Sequence, residues 1–110
     1  MRCYGNCDYE LPRGVVKIVE SLCGDYYRRS QAIKNGSAKG AVLDEYLRLN
    51  IAVETALENV ETGIRAELLR DIAIGRGYNR STISAFMAKN TYYQRRHKLI
   101  YDISAELNLA

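Results

Sequence analysis

The sequence predicts an all-α protein, a long helical hairpin followed by a C-terminal helix-turn-helix. Three observations carry this. Pro12 is the only proline and no stretch sustains a period-two alternation, so the punctuation of a β protein is missing. Apolar residues instead recur at three- and four-residue steps through most of the chain. The glycine-containing stops Asn35-Gly36 and Gly75-Arg76-Gly77 divide these periodic runs.

Residues 1–12 show no period and read as a loosely ordered lead-in. Pro12 stands where a helix tolerates a missing amide. A first helix follows over 13–34, with Val15, Ile18, Val19, Leu22, Tyr26 and Ile33 as its stripe and Gly24 as a weak point. A second helix over 41–60 carries Val42, Tyr46, Leu49, Val53, Ala56 and Val60 in a heptad-like seam. Its second apolar edge is Leu43, Leu47, Ile51 and Leu57. The short link predicts an antiparallel hairpin over 13–60, and the surplus apolar edge makes that hairpin a candidate homodimer element.

Residues 61–110 form the remaining unit. A third helix over 63–74 presents Ile64, Leu68 and Ile72, and Gly75-Arg76-Gly77 reads as its stop, since no strand precedes it as a nucleotide loop requires. A short helix over 80–87, capped by Asn79 or Ser81, turns Ile83, Phe86 and Met87 inward. After the turn Ala88-Lys89-Asn90, a longer helix over 91–107 buries Tyr92, Leu99, Ile100, Ile103 and Leu107. A short helix, a tight turn and a longer basic helix are the layout of a helix-turn-helix.

The charge is uneven along the chain. Its 110 residues have a formal net charge of +3, but residues 41–75 carry seven acids against three bases, whereas residues 76–110 carry six bases against two acids. From Arg76 to Lys98 every ionised side chain is positive. Such a block is a footprint for a polyanion, and nucleic acid is the usual one. The last helix also carries its bases at the start and Asp102 and Glu106 at the end, against its own dipole. An anionic partner at that N-terminus would account for the order.

On a helical wheel Thr91, Tyr93, Gln94, Arg95 and Lys98 lie outside or beside the apolar stripe. They supply a hydroxyl, an aromatic edge, an amide and two cations, the groups that read base edges and hold phosphates. Arg76, Arg80 and Lys89 precede them and suit phosphate contact. Arg96 falls inside the stripe, where a charge must reach a partner around the edge. His97 reads as a surface residue without a role.

The segment Thr91-Tyr92-Tyr93-Gln94-Arg95-Arg96-His97-Lys98-Leu99-Ile100, followed by Ile103, Ala105 and Leu107, resembles the last helix of phage late-transcription regulators of the ArpU and RinA type. These are similar in turn to region 4 of sigma factors. The resemblance covers about 62–109. It implies a helix lying in the major groove, with Thr91, Tyr93, Gln94, Arg95 and Lys98 reading and gripping DNA. It also implies a support helix containing Thr82, Ile83, Ser84, Phe86 and Met87, and contact with RNA polymerase. Met87-Ala88-Lys89-Asn90 departs from the hydroxyl-containing turn of that family.

Other chemistries find little support. Cys3 and Cys7 are spaced more loosely than a zinc knuckle, and with Cys23 they read as free thiols. Neither a metal nor another cofactor is expected. Glu67 and Asp71 read as ordinary exposed acids, and no nucleophile–base pair stands out, so no enzyme is expected. Without a long apolar run or a leader, the expected location is the cytoplasm. The alternative to a transcription regulator is a protein-interaction or phage packaging module that touches DNA without sequence preference.

Overall fold

The computed structural model describes residues 10–109. The cysteine spacing at Cys3 and Cys7, and most of the lead-in, lie outside the described residues. Five α-helices, and no strand among the described residues, build the fold: α1 Arg13–Gly24, α2 Tyr26–Lys34, α3 Gly40–Leu57, α4 Arg65–Ile74 and α5 Lys89–Glu106. Single 3₁₀ turns occupy Thr62–Ile64 and Tyr78–Arg80, and a third spans Thr82–Ala85. The fold class is all-α as expected.

Helix α1 starts where the sequence predicts, with the Pro12 carbonyl accepting from the amides of Val15 and Val16. Val16, Val19 and Cys23 are its buried face, while Ile18 faces outward at 49% exposure. The continuous helix expected over 13–34 is interrupted at Asp25. Backbone bonds still run across the interruption, from Asp25 N to Ser21 O and from Arg29 N to Asp25 O. It is therefore a kink, and its place follows from Gly24, where α4 comes close. A Cβ on Gly24 would meet the Ala73 carbonyl at 3.4 Å. Burial drives the Cys23 thiol up to about 12, so it is an inert packing group.

The kink divides the labour of the predicted hairpin. α1 packs on α4 and α5, whereas α2 pairs with α3. The turn between α2 and α3 is as read from the sequence. Gly36 takes φ 76°, and the Asn35 side chain accepts from the Ser37 amide. The α2–α3 pair is held by a polar cluster. Arg29, 2% exposed, donates from Nε to Asn50 Oδ1 at 2.6 Å and from Nη2 to the Leu22 carbonyl at 2.7 Å. Asn50 Nδ2 donates to Ser30 Oγ at 2.9 Å. Among the described residues no carboxylate forms an ion pair with Arg29. Its positive charge instead meets the carbonyl end of α1, where the helix dipole favours it.

One core joins the elements. Val53, Ala56 and Val60 meet Leu68, Leu69 and Ile72 together with Ile83, Leu99, Ile100 and Ile103. The predicted stripes of the third and fifth helices are therefore the buried ones, with Leu107 only partly covered. Arg65 closes the end of α3 by donating to the Val60 and Glu58 carbonyls. Gly75, at φ 72°, ends α4 in a Schellman turn, with the Arg76 amide donating to the Asp71 carbonyl at 2.7 Å.

The short helix expected over 80–87 is not an α-helix. The segment folds as two successive 3₁₀ turns, because Ser81 sits between them in extended conformation (φ −83°, ψ 142°) and its Oγ accepts from the Ile83 amide. Ile83 points inward as predicted and Met87 is half-buried, but Phe86 faces outward.

Candidate nucleic-acid interface

The residues proposed to hold DNA fall into two groups by what they touch. Arg80 and Lys89 are exposed. They bracket the 82–85 turn, and Lys89 opens α5. That helix carries no acid in its first turn and no side-chain cap. Its leading amides and Lys89 stand together at the start of α5, with Arg80 nine residues before Lys89 in the chain, a combination suited to an oxyanion. Asn90 is exposed beside them, and Thr91 and Gln94 are half-buried further along.

The second group is already engaged. Arg95 Nε donates to both carboxylate oxygens of Glu61, at 2.9 and 3.0 Å. Lys98 Nζ donates to Asp102 Oδ2 at 2.7 Å, and Asn59 Nδ2 donates to the same oxygen at 3.3 Å. Both pairs reach solvent, so each contributes about 0–1 kcal/mol and can be exchanged for a phosphate cheaply. A hydrogen bond from the Glu61 backbone amide, joined by Arg95, holds the Glu61 carboxyl below its ordinary value. The hydroxyl of Tyr93 accepts from the Tyr78 amide at 3.3 Å and lies 3.2 Å from where a Gly77 Cβ would stand. Gly77 thus makes room for a ring that braces the turn, and Tyr93 is a packing residue first.

Arg76 is taken furthest from the expected role. Its Nε donates to Asp71 Oδ1 at 2.7 Å and its Nη2 to Glu67 Oε1 at 2.6 Å. The expectation of two ordinary exposed acids is corrected here. Asp71 is fully buried and Glu67 half-buried, because Arg76 folds back over α4. The other oxygen of Asp71 accepts from the Tyr92 hydroxyl at 2.8 Å. That hydroxyl in turn accepts from Arg96 Nη1 at 2.8 Å, and the same nitrogen donates to the Arg76 carbonyl at 2.6 Å. Arg96 thereby finds its partner around the edge of the stripe, as its position demanded. Burial drives the Tyr92 phenol up to about 12, against the pull of Arg96, so it stays protonated and donating. The network clamps the base of α5 to α4 and to the turn that follows it.

His97 is buried rather than on the surface. Its ring lies 6.4 Å from that of Tyr93. Burial, with Arg96 close by, lowers its pKa below the ordinary 6.5. A folded-state pKa below the unfolded one favours the neutral ring. The stability this contributes is complete above about pH 6.5 and is lost as the pH falls towards the lowered value. The melting temperature is thus expected to drop between pH 7 and pH 5.5, and H97Q to flatten that slope. An equal slope in H97Q would contradict the assignment.

No group of metal-ligating side chains occurs among the described residues, and no described helix is long and apolar enough to cross a membrane. No protein-family model, curated protein or solved structure matches the chain. Fold and site alone therefore define its class, a small all-helical domain with a basic edge at the start of its last helix.

Proposed function

We propose that the chain is a DNA-binding transcription regulator of the phage late-gene type, entering the major groove with the first turns of α5. The observation that carries this is the acid-free run from Arg76 to Lys98, whose exposed members Arg80 and Lys89 flank the uncapped start of α5. Asn90, Thr91 and Gln94 meet base edges. Arg80 and Lys89 grip phosphate, and Arg95 and Lys98 join by exchanging Glu61 and Asp102 for phosphate oxygens. No covalent chemistry is part of this reading.

Between Thr91 and Ser104 no side chain of α5 is fully exposed. The base-reading surface is thus short, which favours as a second reading a packaging or assembly module with non-specific DNA contact. Titration of fluorescent duplexes over a salt series tests both. A regulator gives steeply salt-dependent binding with a preferred sequence. A packaging module gives the slope without the preference, and absence of salt-linked binding contradicts both.

The α2–α3 arm supports a homodimer. Val42, Leu47 and Ile51 are 51%, 38% and 56% exposed on α3. Leu47 and Ile51 border a shallow groove of about 220 Å³, which Ile33 and Ser30 of α2 complete. Lys34 lies on α2 and Asp44 and Glu54 on α3, whereas Arg28 and Glu45 are already paired with Asp25 and Arg48. A two-fold pairing that sets each α2 beside the other copy's α3 matches opposite charges and covers the apolar edge. The protein is expected to sediment at twice its 12.5 kDa chain mass. I51E is expected to sediment as a folded monomer. A monomeric unmutated protein would remove the arm from this role.

A further inference from the structure

We propose that Phe86 is a base-contacting residue, its ring packing against a thymine 5-methyl group in the major groove beside the start of α5. This rests on the reading that the chain binds duplex DNA. Phe86 is the only phenylalanine in the sequence, and it is the most exposed large apolar side chain described, at 67%. Burying such a ring contributes about 1.5–3 kcal/mol, which a partner seated on it would gain.

The turn that carries it is tightly held. Ile83 is fully buried beneath, and its carbonyl accepts from the amides of both Phe86 and Met87 at 3.1 Å. The Tyr78 hydroxyl donates to the Met87 carbonyl at 2.6 Å, and Ser84 Oγ donates to the Ser81 carbonyl at 2.8 Å. The ring is therefore presented on a braced backbone three residues before Lys89, the first residue of α5.

Its surroundings select the partner. The exposed residues next to it in sequence, Thr82, Ala85, Ala88 and Asn90, are small or polar. The charged residues closest in sequence are Arg80 and Lys89, both positive, and no acid occurs from Arg76 to Lys98. An exposed ring in an acid-free stretch just before a helix suits a polyanion with an apolar feature in its groove. The thymine methyl is the apolar group that duplex DNA offers there.

The test compares a duplex of alternating A·T pairs with the same duplex carrying deoxyuridine for every thymine, at fixed salt, for the unmutated protein and for F86A. Removing an exposed ring leaves the fold intact, which an unchanged melting temperature confirms. The unmutated protein is expected to favour the thymine duplex by about fourfold more than F86A does, the worth of one buried methyl. An equal thymine preference in the two proteins would overturn the role of Phe86 while leaving DNA binding standing. Failure of both proteins to bind either duplex would overturn the DNA reading and Phe86 with it.

Discussion

Replacing Asp71 with alanine is expected to cost about 3–5 kcal/mol of folding stability, the cost of removing one partner from a buried ion pair. Its carboxylate is fully buried and accepts from the Arg76 guanidinium and the Tyr92 hydroxyl. Without it, Tyr92 keeps a buried hydroxyl with Arg96 donating to it and nowhere to donate in return. Arg76 keeps Glu67 and partial access to water, which places the loss toward the lower end of the range. D71N retains an acceptor for Arg76 and loses the charge, so it should fall between D71A and the parent. Y92F removes one donor and should cost about 1–2 kcal/mol. Small domains are stable by only about 5–15 kcal/mol, so D71A is readily visible in urea unfolding. A loss below about 1 kcal/mol for D71A would show that the clamp between α4 and α5 does not hold the fold.

The largest effect on binding is expected from R80A/K89A. Each contact with a phosphate adds about 0.9 to the slope of log affinity against log salt. The double variant should lower that slope by about two for each copy that touches DNA. If each contact is neutral at 1 M salt, the same slope predicts about 60-fold weaker binding per copy at 0.1 M salt. Both side chains are exposed, so the fold should be unaffected. Lys17, an exposed cation on α1, is the control, and K17A should leave the slope as it was. Unchanged binding by R80A/K89A would separate the basic edge from any DNA contact.

What could be read in the sequence was local. The stripes Ile64/Leu68/Ile72 and Tyr92/Leu99/Ile100/Ile103 are spaced by the helix repeat itself, and the structure buries them. Gly36 and Gly75 mark helix ends because both need positive φ. The kink at Asp25 was less legible. Gly24 only weakens a helix, and the interruption beside it falls where α1 passes Ala73 of α4, about 50 residues along the chain. The 3₁₀ turns after Gly77 are hidden in the sequence because Ile83, Phe86 and Met87 are spaced as a helical face would be. The extended Ser81 breaks that face before it forms.

The candidate site divides along the same line. The acid-free run and the exposed Arg80 and Lys89 follow from charge order, which a sequence displays directly. The engagement of Arg95 by Glu61, 34 residues away, does not, and neither does the burial of Arg29 against Asn50. His97 reads as exposed on a basic helix, but the packing around α5 buries it. Arg76 is the least legible, because one guanidinium after a glycine stop serves a phosphate or a buried carboxylate equally well. Only the position of Asp71 decides between them.

The most direct test of the central claim is selection of binding duplexes from a random pool at about 50 and 200 mM salt. The expected result is an enriched motif whose affinity falls steeply between the two salt concentrations and is lost more strongly in R80A/K89A than in K17A. Recovery of no duplex above background at the lower salt would contradict the proposal that α5 enters DNA.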